Sequence, residues 1–156
     1  MGVLFDYFRA PSREAATVRP DIGRADLTPA RGQPTFDAVG VKGIGPGIEL
    51  AQLIGLIQEV PWTLDLVDLI PVYPSPEGAP TIADERSPYL DGPGIDELPV
   101  SVRDVLAGVD DARLPDLAGR WLESDSEYAL TLIQDLVSLA RRAKESDELL
   151  YCWMCA

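Results

Sequence analysis

The stretch that decides the fold is SDSEYALTLIQDLVSLARRAKESDELLYCWMC, residues 124–155. Ser124 and Glu127 match the capping box S-x-x-E, which predicts that a helix begins here. Apolar residues then recur at helical spacing as far as Ala143, and the basic residues of the last turns complement the helix dipole. After a break at residues 146–148, the segment LLYCWMC predicts a buried strand. These 32 residues therefore predict a long helix followed by a strand.

A second strand is predicted at the other end of the sequence. Residues 2–9, GVLFDYFR, are dominated by aromatic and branched side chains, which favour strands. The two ends of a single domain often lie close together. We therefore expect this strand to pair with LLYCWMC.

The residues between these strands predict several short elements. They are a helix over 12–17 capped by Ser12, a buried helix that Pro46 opens and Pro61 stops, a strand over 66–73, and helices over about 99–108 and 114–122. Pro71 favours an edge position or a bulge for the strand. Residues 74–99 hold six prolines, three glycines and six acids, which predicts a long irregular loop. The predicted fold is α+β: a single domain whose small sheet includes the N- and C-terminal strands and packs against four to five helices.

Length and composition favour one soluble domain. A chain of 156 residues fits a single ordinary domain. No apolar run approaches the roughly 20 residues that a bilayer-spanning helix needs. The opening residues MGVLFD lack the basic and apolar regions of a signal peptide. We therefore expect a cytoplasmic protein that does not associate with membranes.

The acidic charge of the chain is concentrated in one region. The net charge is −13, and residues 61–140 hold 16 acids and 4 bases, so this region alone carries −12. Such a field repels nucleic-acid phosphates and attracts basic surfaces. The sequence therefore predicts a basic protein partner and no nucleic-acid partner. Within the predicted loop, the expected partner-binding residues are Asp84, Glu85, Asp91, Asp96 and Glu97.

The residue types that are present exclude several kinds of catalytic site. The chain contains no His, so Ser–His and Cys–His nucleophile pairs and His-ligated zinc cannot be built. Cys152 and Cys155 form a CxxC without a second pair, and residues three apart in a regular strand point to opposite faces. We interpret both cysteines as structural. The sequence predicts no catalytic residue, no metal site and no cofactor.

One motif and two other functions are alternatives to this prediction. Gly43-Ile44-Gly45, next to Lys42, is similar to the turn of a helix-hairpin-helix DNA-binding motif, but Glu49 stands where a small residue is expected. The chain could also be a nucleic-acid mimic with its carboxylates in rows. A third function is that of a His-free enzyme, which would need a pocket containing at least two acids with perturbed pKa values.

Three stretches resemble the YfbM-like family of small, uncharacterised bacterial proteins. They are the strand at the N-terminus, the short helix PVSVRDVLAGV, and the closing helix and strand QDLVSLARRAKESDELLYCW. Together they cover about half of the chain. The resemblance implies an α+β fold and supplies no activity, so it assigns no functional residue.

Overall fold

A computed structural model describes residues 2–25, 36–78 and 92–156, and its centre is one antiparallel sheet. The strands are β1 (Leu4–Ala10), β2 (Ala38–Lys42), β3 (Ile70–Tyr73), β4 (Gly94–Glu97) and β5 (Leu149–Cys155). They are hydrogen-bonded in the order β2-β1-β5-β4-β3. All four neighbouring pairs are antiparallel. The predicted α+β class is therefore confirmed.

The helices of the described residues lie on both faces of this sheet. They are α1 (Arg13–Ala16), α2 (Ile48–Gln58), α3 (Val100–Ala107), α4 (Leu114–Trp121) and α5 (Ser126–Glu145). The larger core lies between α2–α5 and one face of the sheet, where Tyr7, Val41 and Cys152 are buried. A smaller core, which includes Phe8 and Tyr151, lies on the opposite face with α1. No helix in the described part of the chain combines the length and apolar character that a membrane crossing requires.

Strands β1 and β5 form the predicted pair of terminal strands. Their register runs from Leu4 opposite Cys155 to Ala10 opposite Leu149. Because side chains alternate between faces along a strand, each of these strands supplies residues to both cores. Both strands are therefore buried on two sides, which accounts for their largely apolar composition.

Arg24 holds the chain that follows α1 against the smaller core. Its guanidinium lies over the rings of Phe8 and Phe36, at 5.3 and 4.8 Å from the two centroids. Burial lowers the pKa of Arg24 to about 10. The guanidinium also donates to the backbone carbonyls of Ala16, Val18, Arg19 and Ile22. A single buried cation therefore organises residues 16–24.

The predicted start of the long helix was wrong by one residue. Asp125, not Ser124, is the N-cap, and its side chain accepts a hydrogen bond from the Tyr128 N–H at 3.1 Å. Both Asp and Ser are good N-caps. The burial of Ala129, Leu132 and Ile133 fixes which face of the helix points inward and hence where the helix begins.

Three further parts of the secondary structure differ from the prediction. The segment predicted as a strand over 66–73 opens with a 3-10 helix, Leu64–Leu66, and only Ile70–Tyr73 is a strand. The 74–99 segment is not an irregular loop throughout, because Pro76–Gly78 is a 3-10 helix and β4 occupies its last part. Strand β2 was not predicted at all. The expectation for Pro71 is confirmed, since β3 is an edge strand whose register shifts between Pro71 and Tyr73.

Candidate functional site

The structure describes two of the five acids that were expected to bind a partner. Asp84, Glu85 and Asp91 lie outside the described residues. Asp96 and Glu97 lie in β4, in the sheet and not in a loop. Since neighbouring residues of a strand point to opposite faces, these two carboxylates do not act together.

Glu97 is part of the fold. It is buried, and its two oxygens accept hydrogen bonds from Nε and Nη2 of Arg13 at 2.8 and 2.9 Å. The Tyr151 hydroxyl donates a third hydrogen bond at 3.0 Å. The bonds from Arg13 and then from Tyr151 hold the pKa of Glu97 below its usual value, against the opposing effect of burial. The carboxylate is therefore already occupied and offers little to a partner.

Asp96 lies on the face of the sheet that carries the larger core, directly opposite Cys152 of β5 and Pro71 of β3. It is half-buried, and burial raises its pKa. Asp96 lines none of four pockets that the described residues form. Only one of those four contains two acids, Glu14 and Glu77, and both are exposed. These pockets therefore do not meet the condition set for a carboxylate enzyme.

Several other acids of residues 61–140 stabilise the protein itself. Asp104 pairs with Arg103 at 2.9 Å, and Asp111 pairs with Arg141 at 2.9 Å. Asp110 caps a 3-10 helix by accepting a hydrogen bond from the backbone N–H of residue 112. Some of the acids that carry the −12 charge are therefore engaged in ion pairs or in helix capping. The acids outside these contacts are the ones that would be available to a partner.

One segment of the chain carries four exposed apolar residues and three acids. We call it the Trp62 surface, and its residues are Glu59, Val60, Trp62, Leu64, Asp65, Asp68 and Ile70. All seven are exposed, including Trp62 at 45% and Leu64 at 57%. None of the three acids has an ion-pair partner in the described part of the chain. Exposed apolar residues that gather in one region of a surface often mark an interaction site.

The backbone around α2 explains why these side chains face outward. Glu59 is the C-cap of helix α2 and adopts the left-handed conformation with a φ of 58°. Pro61 prevents the helix from continuing. The chain then turns back over Gly55, where an added Cβ would come within 3.0 Å of the Val60 carbonyl oxygen and of Trp62 Cβ. This close approach seats the backbone of Trp62 on the helix and leaves the indole exposed.

Neighbouring apolar residues anchor the same segment to the core. Val67 is buried, and Leu66 and Leu69 pack against the larger core. Arg113 donates from Nη2 to the Ile57 carbonyl at 3.0 Å and so satisfies the C-terminal end of α2. The Trp62 surface is therefore presented from an anchored segment, which lowers the entropic cost of binding.

The sequence did not predict the Trp62 surface. In VPWTLDLVDLI, residues 60–70, apolar residues alternate with other residues from Val60 to Leu66, which is the strand period, yet Leu64–Leu66 is a 3-10 helix. The available signal was a Trp between a helix-ending Pro and two acids.

The glycine turn that resembles a DNA-binding motif forms hydrogen bonds with other parts of the fold. Lys42 ends β2, and Gly43 has a φ of 75°, a conformation that suits glycine. The Gly43 N–H donates to the Val3 carbonyl at 3.1 Å, and the Ile44 carbonyl accepts a hydrogen bond from the Tyr7 hydroxyl at 2.9 Å. One N–H of the turn, that of Gly43, is thus already used within the fold, and the turn connects β2 to α2.

The two cysteines lie on opposite faces of β5. Cys152 is buried in the larger core and burial raises its pKa well above the usual value, whereas Cys155 packs against the smaller core. Both are free thiols. Within residues 2–25, 36–78 and 92–156, no three Cys, Asp or Glu side chains converge to hold a metal ion.

No protein-family model matches the chain, and no curated protein or solved structure matches it significantly. No family is therefore assigned, and the resemblance to the YfbM-like proteins stays a prediction.

Proposed function

We propose that the protein is a non-catalytic, cytoplasmic binding protein of the inhibitor, immunity or adaptor type, which engages a basic surface of another protein. The observation that carries the proposal is the Trp62 surface, where exposed apolar side chains stand beside unpaired acids within the acidic 61–140 region. The partner that fits it is a protein segment with apolar residues flanked by Lys or Arg.

The apolar part of this surface supplies affinity. Trp is enriched among the few residues that carry most of the energy of a protein interface. A Trp side chain presents up to ~250 Å², and about 110 Å² of it remains to be buried when Trp62 is 45% exposed. At ~25 cal/mol per Å² this area is worth about 3 kcal/mol, which is an upper value because association has its own entropic cost.

The acids supply orientation and association rate. Glu59, Asp65 and Asp68 are exposed in the same segment as the apolar side chains and would face the cations of the partner. Electrostatic complementarity of this kind raises the association rate, and salt screens it. We therefore expect affinity to fall as the salt concentration rises, but not to vanish, because the apolar contact is insensitive to screening.

Affinity capture from extract of the native cell tests the proposal, with the intact chain as bait and two variants beside it. Trp62→Ala removes the central side chain, and Ile48→Ala is the matched control because Ile48 is 53% exposed at the other end of α2. We expect a basic protein that the intact chain and Ile48→Ala both retain and that Trp62→Ala loses. The affinity for that protein, once it is purified, should fall by about tenfold or more in Trp62→Ala.

Two results would contradict the proposal. One is a partner that binds Trp62→Ala as tightly as the intact chain. The other is a partner without a basic surface, whose affinity does not change between low and high salt. Binding that survives Trp62→Ala and is lost when acids are neutralised would instead favour the nucleic-acid mimic, because a mimic depends on charge alone.

A further inference from the structure

A pocket lies away from the Trp62 surface, on the side of the sheet where β2 is the edge strand. It has a volume of about 510 Å³, within the range typical of small-molecule pockets. Its lining includes Leu4, Asp6, Gly40, Lys42, Tyr128 and Trp153. The pocket therefore combines apolar and aromatic walls with one carboxylate and one ammonium group.

Asp6 is the unusual residue of this pocket. It lies in β1 beside Gly40 of β2 and Trp153 of β5, and only 8% of it is exposed. Among the described residues, one group donates a hydrogen bond to it, the Ala25 N–H, which lies 3.0 Å from Oδ2. A carboxylate has room for about four hydrogen bonds. A buried carboxylate with one neutral donor retains much of its desolvation cost, and a bound cation would offset that cost.

Two glycines make space for this carboxylate. A Cβ added at Gly23 would lie 3.0 Å from Oδ2 of Asp6, and one added at Gly40 would lie 3.1 Å from Oδ1. Any larger residue at either position would press on the carboxylate oxygens. The absence of side chains at Gly23 and Gly40 thus leaves room for both carboxylate oxygens.

Among the described residues, Arg24 interacts electrostatically with Asp6, but no cation contacts the carboxylate directly. Arg24 directs its guanidinium at backbone carbonyls and at the ring faces described above. Neither Arg24 nor Lys42 forms an ion pair with Asp6, although Lys42 lines the same pocket. In the described part of the chain, the negative charge of Asp6 is left without a directly contacting counter-charge.

The aromatic wall is held in place. Nε1 of Trp153 donates to the Pro20 carbonyl at 2.8 Å, so the polar edge of the indole is fixed. Tyr128 and Leu4 add exposed apolar surface at the mouth of the pocket. A carboxylate next to an aromatic side chain is a favourable environment for an organic cation.

We propose that this pocket binds a small organic monocation, an amine or guanidinium attached to an apolar group. The cationic head pairs with Asp6, and the apolar group packs against Trp153 and Leu4. The positive charge of Lys42 at the rim disfavours ligands with two positive charges. It favours a ligand that also carries a hydrogen-bond acceptor. This ligand site is independent of the Trp62 surface and of the proposed protein partner.

The test uses two probes of equal shape, phenethylamine and its neutral counterpart 2-phenylethanol. Each is titrated into ¹⁵N-labelled protein, and binding is followed by the amide signals of Gly40 and Lys42 and by the indole signal of Trp153. We expect saturable shifts at these three signals with phenethylamine. The neutral alcohol should bind about tenfold more weakly or worse, a difference that corresponds to about 1.4 kcal/mol.

Three variants separate the charge of Asp6 from its structural role. Asp6→Asn keeps an oxygen that can accept from the Ala25 N–H but removes the charge, and it should weaken phenethylamine binding about tenfold. Asp116→Asn, at an exposed position in α4, is the control and should bind as the unaltered protein does. Lys42→Glu lies at an exposed position and should bind the amine more tightly, which provides a test even if Asp6→Asn does not fold.

The proposal is overturned by any of three results. These are equal affinities for the amine and the alcohol, unchanged amine binding in both Asp6→Asn and Lys42→Glu, or the absence of saturable shifts at the three signals up to about 20 mM, a concentration well above the dissociation constant of even a millimolar ligand.

Discussion

The hydroxyl of Tyr151 is buried on the smaller core and donates to Glu97 at 3.0 Å, so Tyr151→Phe removes one donor and nothing else. A hydrogen bond to a charged group contributes about 1.5–3 kcal/mol. Arg13 continues to donate to the same carboxylate in the variant, which places the expected loss at about 1.5–2 kcal/mol at pH 7. For a chain of this length the melting temperature should fall by about 3–8 °C.

The effect of Tyr151→Phe should depend on pH in a defined direction. The folded state holds the pKa of Glu97 below its usual value, and the bond from Tyr151 is one of the causes. The stability that this carboxylate contributes is therefore fully present above its unfolded pKa of about 4.3 and is lost as the pH falls through the lower folded pKa. The gap between the two proteins should narrow over that range.

Urea denaturation followed by circular dichroism at pH 7 and at several pH values below 5 measures this gap. Tyr128→Phe is the matched control, because the Tyr128 hydroxyl forms no hydrogen bond with any described residue and the side chain is 41% exposed. Its stability should stay within about 0.5 kcal/mol of the unaltered protein. A Tyr151→Phe loss no larger than that of the control, or a gap that widens in acid, would refute the role given to Glu97.

Two further predictions concern helices. Asp125→Ala should cost about 1 kcal/mol in chemical denaturation because it removes the cap of α5, whereas Ser124→Ala should change stability by less than about 0.5 kcal/mol; equal effects of the two would restore Ser124 as the cap. Gly119→Ala should raise the free energy of unfolding by about 0.5–1 kcal/mol, since an added Cβ in α4 meets no atom within 4 Å; a decrease would show that this space is not free.

Patterns of long, periodic segments were enough to predict most of the architecture. Helix α5 repeats its apolar residues over twenty positions, and β5 is a run of seven residues that are apolar throughout. Such segments specify their own secondary structure because a buried face must follow the helical or strand period. The pairing of β5 with β1 could also be predicted, because the two ends of a single domain often lie close together.

Short strands could not be predicted in the same way. Strand β4 is GIDE, with two acids in four residues, and β2 is AVGVK, with a glycine at its centre. Neither composition favours a strand. Long-range pairing with β5 and β1 stabilises the strand conformation that these sequences do not favour by themselves. Hydrogen bonds from Arg13 and Tyr151 compensate for the burial of Glu97.

The candidate surfaces depend even more on tertiary structure. Leu64 and Leu66 are two residues apart, yet the first is exposed and the second packs against the core. Asp6 looked like a polar residue in a terminal strand, and only the fold places it beside Gly23 and Gly40. Composition indicated an acidic region correctly, but which acids stay unpaired is decided by the basic residues that the fold brings near them.

The position of β5 between β1 and β4 makes the assembly of the sheet a non-local event. Residues 4 and 155 face each other directly, so this contact must close a loop of almost the whole chain. High contact order of this kind slows folding. Without residues 149–155, β2-β1 and β4-β3 would remain two separate two-stranded ribbons, each marginal by itself and each with a newly open edge. A truncation of only eight residues, 149–156, would thus convert one sheet into two aggregation-prone fragments.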